Sequence, residues 1–143
     1  MQKRPNLRMT RQRKVILEEL RKVNTHPSAD EVYELVRKRL PRISLGTVYR
    51  NLEILSESGD IQKLEPGWSL KRFDGDPSEH CHIRCVRCDR IADVPTAPDL
   101  KVDLQGVNST NFDIIGHRLE FIGMCPQCSE NSDPAANPQL PNK

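Results

Sequence analysis

Two cysteine pairs constrain this chain more than any other feature: Cys85-Val-Arg-Cys88 and Cys125-Pro-Gln-Cys128, with 36 residues between them. A C-x2-C knuckle bends the backbone so that both sulfurs face one point. Two knuckles can therefore place four thiolates tetrahedrally around one Zn²⁺. One such pair alone would be a weak signal; two are a strong one. A chain of 143 residues fits one ordinary domain or two small ones. Two small domains would each have a thin core that a metal or a second copy would reinforce.

The charge distribution favours two. Residues 1–73 hold sixteen Lys or Arg against nine Asp or Glu, net +7, and residues 74–143 hold six against eleven, net −5. A basic half suits a phosphate backbone, although a solvated face carries the same signature. No apolar run approaches the roughly 18 residues of a membrane span, and the start, MQKRPNLRMT, lacks the apolar core of a signal peptide. A soluble protein of the cytoplasm, without a membrane partner, is expected. In a reducing compartment the five cysteines read as metal ligands or redox thiols rather than disulfides. Cys81 is the odd one.

Three helices are legible in the basic half. Over residues 10–23, Val15, Ile16, Leu17 and Leu20 recur at helical spacing, with Thr10 placed to cap. Ser28-Ala-Asp-Glu31 forms a capping box ahead of Val32, Tyr33, Leu35, Val36 and Leu40, and Pro41 stops that helix. A third helix runs over residues 44–59, with Leu45, Val48, Leu52 and Leu55 on one face, Gly46, Arg50 and Glu53 on the other, and Gly59 as a left-handed cap. Strands at residues 61–64 and 68–73 around a Pro66-Gly67 turn make a hairpin. Three helices and a hairpin form a winged helix-turn-helix over residues 1–73.

Residues 74–79 contain Asp74-Gly75-Asp76-Pro77 and read as a hinge. Residues 80–128 make the second domain, with short strands at 80–94, split into 80–84 and 90–94, a weak helix near 100–104 and a longer β segment over 112–123. Residues 129–143, rich in Pro and Asn, read as a disordered tail. The fold class expected is α+β: an N-terminal winged helix-turn-helix domain followed by a small C-terminal α/β domain with a four-cysteine zinc site.

The third helix has the makings of a DNA-reading element. Arg50 points away from the apolar stripe, where a guanidinium can reach a guanine edge or a phosphate, and Tyr49 can meet a thymine methyl. Gly46 permits close backbone approach. With Thr47, these residues make the candidate DNA-binding set. An amphipathic helix with a solvated Arg has the same pattern, but here the helix follows a basic helix and precedes a hairpin.

At this point the chain resembles the ferric uptake regulator (Fur) family of metal-dependent repressors. The stretches that carry the resemblance are RMTRQRKVIL, HPSADEVYELV, GTVYRNLEIL, HCHIRCVRC and GHRLEFIGMCPQC, in that order, across most of residues 8–128. The resemblance implies that the C-terminal α/β domain is a dimerisation domain, in a homodimer that binds double-stranded DNA at a palindromic operator, with structural zinc on Cys85, Cys88, Cys125 and Cys128.

A second set of ligand-type residues contains no thiol: His26, Asp74, His80, His82 and Asp93. In an extended strand His80 and His82 project to one face and Cys81 to the other. His26 could instead be an exposed turn residue, and Asp74 beside Gly75 a plain turn former. All five positions match the family's peroxide-sensing branch, PerR. Three imidazoles and two carboxylates suit Fe²⁺ or Mn²⁺ and avoid the soft thiolates that favour zinc. In that branch the ligands oxidised by peroxide correspond to His26 and His80. Asp at position 93 also matches it, where iron sensors more often carry Glu. His117 stays outside the set: the resemblance implies that this histidine can belong to another metal site in related regulators, but here Cys81 and Leu100 occupy neighbouring positions where its oxygen ligands would be expected.

The alternative is an iron, manganese or zinc uptake regulator that senses occupancy alone. An enzyme is not expected. Cys125-Pro-Gln-Cys128 resembles a dithiol oxidoreductase motif, but no βαβ pattern surrounds it. The zinc deaminase signature needs H-x-E and P-C-x-x-C, and here Met124 precedes Cys125 and no H-x-E occurs. A zinc-ribbon adaptor would leave the histidines and the third helix without a purpose.

Overall fold

The structure, a computed structural model, describes residues 7–65, 70–95 and 103–131. The chain divides into two compact units, Met1–Glu79 and His80–Lys143.

In the first unit, α1 (Arg11–Arg21), α2 (Ala29–Val36) and α3 (Leu45–Glu57) pack on one another. Each starts at a side-chain cap. Thr10, Ser28 and Ser44 accept hydrogen bonds from the backbone N–H of Arg13, Glu31 and Thr47, three residues on. Such caps satisfy N–H groups that the helix itself leaves without a partner. The faces so aligned bury Val15, Ile16, Leu17, Leu20, Val32, Val36, Val48, Leu52 and Leu55 in one core. Gly59 closes the last turn after α3 with φ 81°, the left-handed conformation that glycine adopts without strain.

Two expectations about these helices need correction. α2 ends at Val36, short of Leu40. The residue before a proline avoids helical ψ, so Leu40 cannot continue the helix into Pro41. The intervening turn instead aims Arg39 at Glu18 and Glu19 of α1, each at 2.9 Å. Leu45 is only half-buried, while Asn51 is buried on the same face as Val48, Leu52 and Leu55.

The hairpin consists of β1 (Gln62–Leu64) and β2 (Arg72–Asp74), antiparallel, with Gln62 opposite Asp74 and Lys63 opposite Phe73. Phe73 is 1% exposed and joins the helical core. Burying a phenyl ring contributes roughly 1.5–3 kcal/mol. Lys71 precedes β2, so the second strand starts later than expected, and the expected turn at Pro66-Gly67 lies outside the described residues. Asp74, placed at the start of a hinge by the sequence, is the last residue of β2.

The second unit is built on a three-stranded sheet of order β4-β3-β5. β3 (His82–Cys85) runs antiparallel to β4 (Ile91–Asp93) and parallel to β5 (Glu120–Gly123). Two short helices, α4 (Gln105–Asn108) and α5 (Pro126–Glu130), complete it. The strand expected over 112–123 forms only at its end. β3 offers four residues for pairing, from His82 opposite Glu120 to Cys85 opposite Gly123, and 112–119 stay exposed and irregular. His117 lies in that segment. The helix expected near 100–104 starts instead at Gln105, and its first expected residues lie outside the described ones. The segment read as a tail from 129 begins inside α5, and 132–143 also lie outside the described residues.

Candidate metal sites and nucleic-acid interface

The four sulfurs of Cys85, Cys88, Cys125 and Cys128 lie within 4.8 Å of one another, and Cys88 Sγ is 3.7 Å from Cys125 Sγ. Four sulfurs about 2.3 Å from a tetrahedral zinc would be roughly 3.8 Å apart, so the cluster fits a Zn²⁺ site. Backbone geometry makes the fit. Cys85 ends β3, the chain turns through 86–88, and Asp89, at φ 65°, sends it into β4. In the other knuckle Cys125 is the N-cap of α5, with Pro126 in the first turn, and its sulfur accepts from Cys128 N–H at 3.5 Å. Cys125 N–H in turn donates to Cys85 Sγ at 3.3 Å, fastening one knuckle to the other.

These donors set the thiol acidities. Burial opposes ionisation of Cys85, but backbone N–H groups of Cys125, Cys88 and Arg87 outweigh it and bring its pKa down to about 6. Cys128 moves the other way, up to about 12, because its thiol is hydrogen-bonded to the Cys125 sulfur, is partly desolvated and faces further sulfurs. Four thiolates this close need a cation to share.

Arg84, 2% exposed, supports the cluster from β3. Its Nε donates to Glu120 Oε1 on β5 at 3.0 Å, and its Nη1 to Asp89 Oδ1 in the knuckle at 3.4 Å. Sequence reading missed this residue. An Arg among strand residues carries no mark of burial until the partners from β5 and the knuckle are known.

The thiol-free set divides between the units. In the second, His80 Nε2 is 3.1 Å and His82 Nε2 3.2 Å from Asp93 Oδ1, and the two rings tilt against each other with centroids 4.4 Å apart. Strand register produces this, since His82 stands opposite Asp93 across β3 and β4. Donors at right angles about 2.1–2.2 Å from one ion lie roughly 3 Å apart, so two nitrogens and an oxygen at these spacings fit adjacent positions around a divalent cation.

In the first unit, His26 Nε2 is 3.3 Å from Asp74 Oδ2, with both side chains buried. His26 is thus no exposed turn residue: it is 2% exposed and adopts φ 53°. A non-glycine residue in that region costs roughly 1–3 kcal/mol and persists only where its surroundings enforce it. Here Phe73 N–H donates to Pro27 O at 2.9 Å and Arg72 Nη1 to His26 O at 3.2 Å. The other Asp74 oxygen accepts Asp76 N–H at 2.9 Å, which fixes the carboxylate in a tight turn. Cys81 is half-buried and its carbonyl accepts from Val94 N–H.

On α3, Arg50 and Tyr49 are exposed and Thr47 half-buried. Among the described residues no heavy atom lies within 4 Å of where a Cβ on Gly46 would sit, so the close approach expected there is not one made within the chain. Tyr49 is engaged at one end: its hydroxyl donates to Asp30 Oδ2 at 3.0 Å, and that carboxylate raises its pKa. Its ring, and the acceptor side of its hydroxyl, remain to meet another molecule. Asn51 was missed by the sequence reading, although it lies three residues from Val48 and four from Leu55, on the buried face. Its Oδ1 accepts Arg13 Nε at 3.1 Å and its Nδ2 donates to Thr47 O at 2.9 Å, tying α1 to α3.

A three-helix unit with a hairpin wing, followed in the chain by a small sheet unit that gathers four thiols, defines a winged-helix protein with a tetrathiolate metal cluster. Residues 4–122 match the model of the Ferric uptake regulator family, and the chain belongs to that family. It is 34% identical to the peroxide-responsive repressor PerR of Staphylococcus epidermidis over 131 residues, 92% of this chain and 87% of the relative. With PerR of Staphylococcus aureus strain Mu50 the identity is 36% over 124 residues, 87% of this chain and 84% of the relative. The fold is shared with the Helicobacter pylori ferric uptake regulator Fur, with TM-score 0.68 and 24% identity over 89% of this chain and 85% of that one. It is likewise shared with the Campylobacter jejuni peroxide stress regulator, with TM-score 0.61 and 26% identity over 82% and 88%. Among the described residues no helix is long and apolar enough to cross a membrane.

Proposed function

We propose that this protein is a metal-dependent transcriptional repressor that releases DNA when peroxide oxidises a ligand histidine. The observation that carries the reading is the convergence of His80 and His82 on Asp93 Oδ1, an arrangement of nitrogen and oxygen donors without a thiol. The identity to the two peroxide-responsive repressors supports the same assignment.

In this reading His26 and Asp74 of the first unit and His80, His82 and Asp93 of the second share one Fe²⁺ or Mn²⁺, while the four cysteines hold structural Zn²⁺. Borderline imidazoles and hard carboxylates suit those two ions. Iron held by these side chains would act as the redox catalyst that opens the peroxide O–O bond beside a ligand ring, with the imidazole as the net two-electron reductant. In net terms, one peroxide oxygen replaces hydrogen on an imidazole carbon of His26 or His80, and the other leaves as water. The oxidised ring is a poorer donor, so the five side chains no longer hold the two units together. Gly46, Thr47, Tyr49 and Arg50 then lose the fixed spacing to their counterparts in a homodimer that matches consecutive major grooves of a palindromic operator. The exposed Phe112 and Ile115, 79% and 102% accessible, fit a surface that a second copy covers.

The test compares operator binding by the zinc-containing protein loaded with Fe²⁺ or Mn²⁺, before and after low peroxide, with mass spectrometry of the peptides holding His26 and His80. Loss of binding with iron alone, with one added oxygen on a histidine, is the expected result. Binding that follows metal occupancy with unmodified histidines would make the protein a metal-uptake regulator instead.

A further inference from the structure

We infer that Arg72 is a positioning residue for the regulatory metal: it holds the backbone of His26 so that the buried imidazole is presented beside Asp74. The inference rests on the reading of His26 as a metal ligand. It adds a residue that donates nothing to an ion.

The geometry lies within the first unit. β2 grips the His26 segment at three successive residues. Arg72 Nη1 donates to His26 O, Phe73 N–H donates to Pro27 O, and Asp74 Oδ2 faces His26 Nε2 at 3.3 Å. Arg72 and Asp74 lie two apart on a strand and so project to the same side. One strand face thus takes the carbonyl and the ring of the same histidine. Arg72 is itself anchored, with its Nη1 3.6 Å from Glu31 Oε1. That carboxylate accepts from Ser28 Oγ at 3.1 Å, and Ser28 caps α2. The cap of α2, the guanidinium and the His26 carbonyl therefore form one chain of contacts.

This chain explains why His26 stays at φ 53°. In the ordinary helical or extended conformations the same residue would send its ring elsewhere. A charged donor on its carbonyl, together with the Phe73 bond to the next carbonyl, selects the left-handed conformation. Without the guanidinium, His26 regains backbone freedom, and ordering it becomes part of the cost of binding metal.

The experiment measures Mn²⁺ affinity by calorimetry on the full-length, zinc-loaded protein, for wild type, Arg72→Met, His26→Ala and the double variant. Arg72→Met is expected to weaken Mn²⁺ about tenfold, as loss of a residue that orients a ligand does, with zinc content unchanged. In the His26→Ala background the same change is expected to have no further effect. A role in stability alone would weaken binding equally in both backgrounds and would overturn the inference. Wild-type affinity in Arg72→Met, with His26→Ala weakened, would also overturn it and leave the ligand reading intact. Wild-type affinity in His26→Ala would overturn the ligand reading itself, and this inference with it. Should Arg72→Met not fold, Arg72→Lys serves in the same cycle. A lysine keeps the charge but replaces the planar fork with a flexible ammonium, so a loss confined to the His26 background is again expected.

Discussion

His82 and Asp93 stand directly opposite each other on β3 and β4, and His82 Nε2 lies 3.2 Å from Asp93 Oδ1. A cross-strand pair holds its Cβ atoms about 4.5–5.5 Å apart, a spacing that limits how long the carboxylate arm can be. The same oxygen also meets His80 Nε2 at 3.1 Å. One atom thus orients both rings, and its position sets the spacing of the donor set.

Lengthening that arm is the first prediction. Asp93→Glu is expected to keep metal-dependent operator binding and to blunt the peroxide response, because one more methylene moves the shared oxygen relative to both rings. Asp93→Asn, which removes the charge, is expected to weaken Mn²⁺ by roughly 10–100-fold. Peroxide titrations followed by operator binding decide the first point, and equal sensitivity of Asp93→Glu and wild type would count against it.

The sulfur cluster gives a pH prediction with a definite sign. The pKa of Cys85 is lowered, so it contributes as thiolate above its unfolded value and that contribution is lost as pH falls through about 6. At pH 7 its proton has already gone, whereas Cys128, raised to about 12, still carries one for the metal to displace. Zinc uptake by metal-free protein should therefore release fewer protons per ion at pH 7 than at pH 5, the difference coming from Cys85. Calorimetry in buffers of different ionisation enthalpy measures this directly; a count independent of pH would mean that the N–H donors around Cys85 do not tune it.

Replacing a ligand should remove the ion altogether. Cys85→Ser and Cys128→Ser are expected to lose zinc and, with it, the dimer, since a unit with a thin core depends on its metal for much of its folding energy. Metal analysis alongside sedimentation tests the pair of effects together. A zinc-free variant that sediments as an unchanged dimer would rule out the structural role.

What could be read from the sequence divides along physical lines. The caps Thr10, Ser28 and Ser44 and the apolar spacing of α1 and α3 are local properties, so those helices appear where the residues placed them. The four cysteines were legible for the same reason, because a knuckle is four residues long. Strand extent is not local: β5 begins at Glu120 because β3 begins opposite it at His82, and Phe112, Ile114 and Ile115 do not reveal that. His26 could be picked out by type and by resemblance, but its burial and left-handed backbone come from β2, 46 residues further on at Arg72. Arg72, Arg84 and Asn51 went unseen because each acts through a partner distant in the chain.

Gly75 makes a close approach that a larger residue would disturb. A Cβ there would meet Arg21 Cγ at 3.0 Å and the Arg21 backbone Cα and N at 3.1 Å, and helix backbone cannot move aside cheaply. Gly75→Ala is therefore expected to cost about 1–3 kcal/mol of unfolding free energy, read from urea denaturation of the zinc-loaded protein. Because Asp74 is its neighbour, Mn²⁺ affinity should fall as well. Unchanged stability would mean that the end of β2 shifts away from α1 freely.

Asn51 permits the most specific prediction about DNA reading. It is buried, bridges Arg13 of α1 to the backbone of α3, and touches Thr47 through its carbonyl. Asn51→Leu keeps the branched skeleton with bulkier methyl groups, and it removes one partner of the contact while leaving the other in place. Arg13 would lose the acceptor that orients its guanidinium, while its bond to the Arg8 carbonyl and its access to water remain. A hydrogen bond to a charged group contributes about 1.5–3 kcal/mol to folding, so Asn51→Leu is expected to lower Tm, and affinity for a duplex selected from random DNA should fall as well because α3 is no longer tied to α1. Fluorescence anisotropy and thermal denaturation of the same preparation separate the two effects. A fall in Tm with unchanged DNA affinity would reduce the Arg13–Asn51 contact to a packing role.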